Sequence, residues 1–293
     1  MGNTRAILFM VLSMAAFAVA DALVKFSSRT IETGQFMAVT SAALFVIFFA
    51  LLRRNGERFF NRAALGSAMI VRTLGEVIGT TGIILALASA PLSSVTVLGQ
   101  AMPLVVMVGA AVFLNEHIGW RRWMAAGLGM AGVLLILRPG DASFEPELLW
   151  VILYIFGLAA RDLASRRLPA NVSTPFAVAW SMPLLVFLGI LLMAFQGGWQ
   201  PIAPSSLLPL GCFVALTSAA VALITVAMRI GEVSAVAPFR YTRILFGLLI
   251  AVVAFGESLG PTTLAGAALI SGSGLYAFWR ERRVQSARPE AFK

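Results

Sequence analysis

The feature that most constrains this chain is a series of ten continuously apolar runs. They cover residues 5–27, 34–52, 65–89, 92–114, 121–138, 148–166, 174–195, 207–229, 235–256 and 261–279. A helix of about 20 residues crosses the hydrocarbon core of a bilayer, whereas a membrane β-barrel requires alternation of apolar and polar residues. We therefore predict an all-α membrane protein with ten transmembrane helices.

Composition excludes the other large classes of protein. Hydrophobic residues make up 59% of the chain and charged residues 12%, which is too apolar for a soluble or a disordered protein. One cysteine, Cys212, and one histidine, His117, cannot build a usual zinc site, so we expect no metal. No glycine-rich phosphate-binding motif is present, so we expect neither an ATP-driven pump nor a cofactor.

The basic residues predict the orientation. The net charge is +9, but the basic residues flank apolar runs, so the expected partner is a lipid bilayer and not a nucleic acid. With the N-terminus inside, 16 basic residues lie inside and three lie outside, namely Lys25, Arg29 and Arg138. This bias predicts cytoplasmic termini and a basic cytoplasmic tail at 280–293.

The chain also contains an internal repeat. Residues 141–147 form a polar linker between a first five-helix repeat at 1–140 and a second at 148–279. A shift of 141 residues matches several polar positions: Asp21 with Asp162, Lys25 with Arg166, Ser93 with Ser234, and Glu116 with Glu257. Because five is odd, the second repeat would enter the membrane inverted, as in many secondary transporters that work by alternating access.

Each half resembles an EamA domain of the drug/metabolite transporter superfamily. The family pattern is a run with a central proline, an acidic residue in a short loop and a glycine-rich last helix. The first half carries it as 90–94, Pro103, Glu116, Gly119 and 127–132, and the second half as 231–235, Glu257, Gly260, Gly266 and 272–274. The second half departs from the pattern at Ile244, where the first half has Pro103, and its own Pro238 comes earlier.

The resemblance implies a function. It implies a transporter, not an enzyme, that exports amino acids or related small metabolites across the bacterial cytoplasmic (inner) membrane. Within the family the chain looks most like the aromatic and neutral amino-acid exporters of the YddG type. Export of other metabolites or drugs is the alternative within the family, and a membrane-embedded enzyme or a channel is the alternative outside it.

Four charged residues fall at membrane depth and are candidates for the substrate site. Arg72 and Glu76 share a face of the third span, and Arg240 and Arg243 lie in the ninth. Charges at this depth need a partner or a wet cavity. An arginine could bind a substrate carboxylate there, or Glu76 could form a structural pair that locks the third and ninth spans together.

Five further residues complete the predicted translocation path. Gln100 and Pro103 lie where the fourth span is expected to bend, and Tyr241 is equivalent to Gln100. Gly79 and Thr80 belong to a small, weakly polar surface of the third span. That surface could admit a substrate or could serve only close helix packing.

Two further features concern gating and assembly. The pairs Asp21/Lys25 and Asp162/Arg166 have i, i+4 spacing at opposite ends of the membrane, and we interpret them as gates or as ordinary interfacial ion pairs. The last helix of each repeat carries small residues four apart, Ala125/Gly129 and Ala268/Gly272. These could form a homodimer interface or could pack within one chain.

Overall fold

The computed structural model describes residues 2–60, 62–116, 119–138, 145–169 and 171–287. Within these ranges the chain is helical throughout, with no strand, which confirms the predicted all-α class. The α-helices, α1 to α12 in order, are Gly2–Ser27, Thr33–Arg54, Ser67–Ser89, Leu92–Gly99, Met102–Phe113, Trp120–Leu137, Leu149–Ser165, Thr174–Phe195, Pro204–Ile230, Val233–Val236, Thr242–Phe255 and Pro261–Ala287. The 3-10 helices are Arg62–Leu65, Pro146–Leu148 and Ala237–Tyr241. His117, most of the predicted linker and the end of the basic tail lie outside the described residues.

Eight helical segments in the described ranges are long and apolar enough to cross a membrane. They are Asn3–Ser27, Thr33–Arg54, Ser67–Ser89, Leu92–Phe113, Pro146–Ser165, Thr174–Phe195, Pro204–Ile230 and Ala237–Phe255. The other two predicted spans form α6 and α12, which are helical but more polar. The reason is that α6 begins with Trp120-Arg121-Arg122 and α12 is rich in glycine and serine. The chain is thus a multi-pass helical protein with eight spans by this measure, two fewer than predicted.

The helices repeat along the chain. A shift of 141 residues carries the range of α2 onto 174–195, the range of α8, and carries the starts of α4 and α6 onto those of α10 and α12. The main helix contacts join the two halves and follow the same relation: α3 with α7 corresponds to α9 with α1, and α5 with α7 to α11 with α1. The shift relates α2 to α8 and α6 to α12, so the α2–α8 and α6–α12 contacts each join two equivalent helices.

Glycines set the close approach of the two halves at the α3–α7 contact. A Cβ atom on Gly75 would lie 2.6 Å from the backbone nitrogen of Arg161, and one on Gly79 would lie 2.7 Å from that of Leu158. From the other helix, a Cβ on Gly157 would lie 2.4 Å from the backbone nitrogen of Gly79. Only glycine permits this distance, which brings the charged side chains of α3 and α7 together.

The fourth span is broken in both halves. The single run predicted at 92–114 divides into α4 and α5 at Gln100 and Ala101, where the amides bond to carbonyls three residues back, as in a 3-10 turn. Pro103 follows and has no amide hydrogen to donate. In the second half, α10 passes into the 3-10 helix Ala237–Tyr241, which includes Pro238 and the position equivalent to Gln100. Broken helices are tolerated at membrane depth where they line a cavity.

Candidate functional site

A cavity of about 660 Å³ lies between the two halves. Its lining comes from α1, α2, α3, the α4–α5 break, α7, α8, α9 and the segment around the start of α11, whereas α6 and α12 contribute nothing to it. The lining continues to the connection between α7 and α8, which includes Leu168, Pro169, Val172 and Ser173. The helices that form the cavity are therefore the eight apolar segments.

The walls of the cavity differ in chemistry. The helices α1, α3 and α7 and the segment around the start of α11 contribute four arginines and three carboxylates to the lining: Arg72, Arg161, Arg240, Arg243, Asp21, Glu76 and Asp162. The side formed by α2, α8 and α9 is apolar with scattered hydroxyl groups, among them Leu44, Phe213, Val221, Thr40, Ser41 and Thr225. A molecule with a charged end and an apolar end matches this division.

Glu76 joins two arginines in a largely buried network. The Arg161 Nη1 lies 3.3 Å from Glu76 Oε1, and the Arg72 Nη2 lies 3.4 Å from Oε2. Arg72 also donates to the Ala177 carbonyl at 2.7 Å and to the Ser181 hydroxyl at 2.9 Å, both on α8. Arg161 donates from Nε and Nη2 to Asp162 Oδ1 at 2.9 and 2.7 Å. Buried charges of this kind persist because each is paired and hydrogen-bonded.

Arg243 forms a second buried pair with Asp21. Its Nη2 lies 2.6 Å and its Nε 3.1 Å from Asp21 Oδ2, and Nη2 also donates to Oδ1 at 2.8 Å. The guanidinium carbon lies 5.2 Å from the ring centre of Phe17, within cation–π range. The pair joins α11 of the second half to α1 of the first.

Arg240 differs from the other cavity arginines. No hydrogen bond or ion pair joins its side chain to another described residue, although it lines the cavity. Asp162 lines the same cavity, and no ion pair joins it to Arg240. Arg240 is therefore a cation of the cavity with no carboxylate among the described residues in direct contact with it.

Two ion pairs at opposite ends of the bundle are related by the repeat. Lys25 of the first half lies 3.7 Å from Glu257 of the second, and Arg166 of the second half lies 2.9 Å from Glu116 of the first. A shift of 141 residues carries Lys25 onto Arg166 and Glu116 onto Glu257. The Lys25–Glu257 side chains are 19% and 14% exposed, whereas those of Arg166 and Glu116 are 50% and 47% exposed. The Lys25–Glu257 pair is therefore largely buried, and the Arg166–Glu116 pair is half exposed.

Glu257 also caps the first turn of α4. It accepts hydrogen bonds from the Leu92 amide at 2.7 Å, the Ser93 amide at 2.9 Å and the Ser93 hydroxyl at 2.7 Å. A carboxylate at this position satisfies amides that lack partners within the helix and interacts favourably with the helix dipole. The clasp, as we call Glu257 with Leu92 and Ser93, joins the two halves at the end of the cavity where Lys25 lies.

Several sequence-predicted residues line the cavity and others do not. Those that line it are Arg72, Glu76, Thr80, Gln100, Pro103, Arg240, Arg243, Asp21 and Asp162. Gly79 instead packs α3 on α7, and Tyr241 is buried against Gly274 and Phe278 of α12. Neither residue is part of the lining.

Two predicted i, i+4 pairings are wrong, and so is the alternative in which Glu76 pairs with the ninth span. Asp21 pairs with Arg243, and Lys25 pairs with Glu257, so these two do not pair with each other. Asp162 pairs with Arg161 rather than with Arg166. Glu76 connects the third span to the sixth, through Arg161, and not to the ninth. In each case a helix from the other half, or an adjacent residue, provides the nearer partner.

Sequence reasoning missed Arg161 and Tyr154. The orientation argument assigns Arg161 to the 16 inside residues, although it stands five positions before the end of the predicted span at 148–166. Its depth in that span, beside Asp162, was the available signal. Tyr154 is buried and lines the cavity two turns earlier on the same helix, with no sequence signal to distinguish it from a packing residue.

The charges are not duplicated between the halves. The positions equivalent to Arg72, Arg161, Arg240 and Arg243 are Phe213, Ala20, Gly99 and Met102. Among the charged residues of the cavity, only the aspartates Asp21 and Asp162 repeat. Among the described residues, no group of three His, Cys, Asp or Glu side chains is placed to hold a metal ion.

Comparison with known proteins assigns the family. The model of the EamA-like transporter family matches residues 4–138 and again residues 146–278. The chain belongs to the EamA-like transporter family. The chain is 28% identical over 230 residues to the S-adenosylmethionine uptake transporter of Rickettsia prowazekii, which covers 76% of this chain and 75% of that protein. The two matches support the two-repeat layout, and the family consists of transporters and not enzymes.

Other relatives of the chain are named for the transport of different compounds. It is 26% identical over 267 residues to the riboflavin transporter of Vibrio cholerae, covering 90% of this chain and 89% of that protein. It is 24% identical over 269 residues to the pseudopaline exporter of Pseudomonas aeruginosa, covering 90% and 92%. A solved crystal structure superposes with a TM-score of 0.64 at 18% identity, covering 94% of this chain and 98% of that one, which shows the fold alone. Small-metabolite transport is the activity common to the relatives named here.

Proposed function

We propose that this protein is a secondary transporter for α-amino acids and metabolites derived from them. The observation that carries the proposal is a cavity between two repeats, to which α1, α3, α7 and the start of α11 contribute charged groups of both signs and α2, α8 and α9 contribute a largely apolar lining. Zwitterionic head groups fit the charged wall, and an aromatic or other apolar side chain fits the wall formed by α2, α8 and α9. S-adenosylmethionine and the aromatic amino acids share this chemistry.

The proposed topology places ten helices in the bacterial cytoplasmic membrane. We assign α6 and α12 as the fifth and tenth spans, with both termini cytoplasmic. A hydrogen bond of Gly34 with Gln196 connects the start of α2 with the end of α8. A second one, of Ser173 with Glu57, connects the start of α8 with the end of α2. These equivalent helices are thus antiparallel, which supports an inverted repeat. The positive-inside bias supports the orientation.

The proposed mechanism is alternating access, with the two repeat-related ion pairs as gates. Lys25 and Glu257 close the outer end, while Arg166 and Glu116 are exposed at the end that the cavity reaches. In the opposite state Glu116 would cap the second broken span as Glu257 now caps the first. Of the residues predicted as gates, Asp21 and Asp162 belong to the cavity and Lys25 and Arg166 to the gates.

The proposed direction of net flux is export, which the resemblance to amino-acid exporters of the YddG type implies. With no coupling ion, the flux would follow the substrate gradient. Ala125 and Gly129 pack within the chain, whereas Ala268 and Gly272 are exposed on α12. We assign this exposed face of α12 as the site of a homodimer contact. Crosslinking of Ala268→Cys in membranes tests it, and a monomer only would refute it.

Counterflow in proteoliposomes tests the proposed function. Vesicles loaded with unlabelled L-phenylalanine, S-adenosylmethionine or riboflavin are diluted into the labelled compound, with and without a pH gradient. We expect saturable exchange of L-phenylalanine or S-adenosylmethionine, unchanged chemically on recovery. Exchange of riboflavin alone would overturn the amino-acid assignment, and chemical alteration of the compound would indicate an enzyme.

A further inference from the structure

The pairing of charges in the cavity leaves one cation and one oxygen atom without a direct partner. Each of the three carboxylates is in contact with an arginine other than Arg240: Asp21 with Arg243, Glu76 with Arg72 and Arg161, and Asp162 with Arg161. The hydrogen bonds of Asp162 all use Oδ1. Among the described residues, Arg240 and the Oδ2 atom of Asp162 therefore remain available in the same cavity.

Arg240 and Asp162 both line the cavity, and no direct ion pair joins them. Unpaired charges at membrane depth are costly, and a bound group of opposite charge relieves that cost. A ligand that carries an anion and a cation two bonds apart would satisfy both residues at once.

We propose that Arg240 and Asp162 form a clamp for the head group of an α-amino acid. Arg240 binds the carboxylate through its planar fork of donors, and Asp162 Oδ2 accepts from the ammonium group. The side chain of the bound amino acid then extends toward the apolar wall. The inference rests on the proposed function and deepens it, because it names the part of the substrate that is recognised and the two residues that recognise it.

The clamp lies next to the break in the fourth span of the second half. Arg240 belongs to the 3-10 helix Ala237–Tyr241, and Asp162 lies in the last turn of α7. Since the exposed Arg166 directly follows α7, the clamp connects the substrate site to one of the proposed gates. Binding of the head group would therefore draw the broken span toward α7.

Competition between L-phenylalanine and two matched analogues tests the clamp. L-phenylalanine and phenethylamine differ only in the carboxylate, and 3-phenylpropionate lacks the ammonium group. In wild-type proteoliposomes exchanging labelled L-phenylalanine or S-adenosylmethionine, we expect L-phenylalanine to compete roughly 10- to 100-fold better than either analogue. In R240Q the preference over phenethylamine should disappear, and in D162N the preference over 3-phenylpropionate should disappear.

Two further variants serve as controls. Arg229→Gln removes an exposed arginine at the end of α9 and should leave both preferences unchanged. Arg240→Lys keeps the charge without the fork, so it should retain part of the preference for the carboxylate. Complete loss of the preference in both R240K and R240Q would identify a folding defect in R240Q. Exchange of neither zwitterion by the wild type would overturn the proposed function and the clamp together. Zwitterion exchange with full carboxylate preference in R240Q would overturn the clamp alone.

Discussion

Replacing Glu257 by glutamine should open the closed end of the cavity. The carboxylate accepts three hydrogen bonds from the first turn of α4, from 2.7 to 2.9 Å, and lies 3.7 Å from Lys25. Glutamine keeps the size of the side chain but removes its charge and turns one acceptor into a donor that faces the backbone amides. The clasp therefore loses both its charge assistance and one of its bonds.

The magnitude follows from the bonds that are lost. Charge-assisted hydrogen bonds contribute about 1.5–3 kcal/mol each, against about 1 kcal/mol for neutral ones. Water recovers part of this difference once the end opens, so we expect a net loss of about 2–3 kcal/mol for the closed state. That corresponds to a roughly 30- to 150-fold shift of the equilibrium between closed and open.

Cysteine accessibility measures this shift. In a background with Cys212→Ser, a reporter cysteine replaces Leu87, which lines the cavity from the last turn of α3 and is 1% exposed. A membrane-impermeant maleimide is added to oriented vesicles on the side opposite the N-terminus. The reporter should react slowly in the wild type and much faster in E257Q.

The repeat provides the control for this experiment. Glu116→Gln changes the equivalent residue, which is half exposed at the other end, and should leave the labelling from this side unchanged or slower. An E257Q protein that is folded by size-exclusion chromatography and labels at the wild-type rate would refute the role of the clasp. Equal acceleration by both variants would refute the assignment of the two pairs to opposite gates.

Three further predictions concern the buried charges and the helix contacts. Arg243→Met should destabilise the protein by about 3–5 kcal/mol in thermal unfolding, because it leaves Asp21 buried and unpaired. The double variant Asp21→Asn with Arg243→Met should recover stability but not flux. Glu76→Gln should lower counterflow at least tenfold in folded protein, since one carboxylate serves two arginines; wild-type flux would place the site elsewhere. Gly75→Ala should reduce the folded yield by fluorescence-detected chromatography, while Gly127→Ala, with nothing within 4 Å of its new atom, should be neutral or stabilising.

The positions of the helices were predictable because they depend on local properties of the sequence. Continuous apolar runs placed α2 and α8 within a few residues, and matched acidic residues at one offset identified the two repeats. The same offset relates Lys25–Glu257 to Arg166–Glu116, a relation that becomes visible only once the partners are known. Span assignment was less secure for α6, which begins with two arginines next to a tryptophan, and for α12, which is rich in glycine and serine.

The partners of the charged residues were not predictable, for a physical reason. Spacing along a helix gives the neighbours of Asp21 on α1, but the guanidinium that reaches it comes from Arg243, 222 positions away. Which side chain from another helix comes nearest depends on backbone separation, and at α3–α7 that separation is set by Gly75, Gly79 and Gly157. Arg161 was overlooked because a basic residue near the end of a span is normally a topology signal.

The uneven placement of the arginines has a kinetic consequence. Both halves share a backbone plan, but the positions equivalent to Arg72, Arg161, Arg240 and Arg243 in the other half are uncharged. A solute arriving from one face therefore meets a different sequence of groups from a solute arriving from the other. For an uncoupled carrier the ratio Vmax/KM must be equal in the two directions at thermodynamic equilibrium. The Michaelis constants measured from the two faces should then differ, and the maximal rates should differ by the same factor.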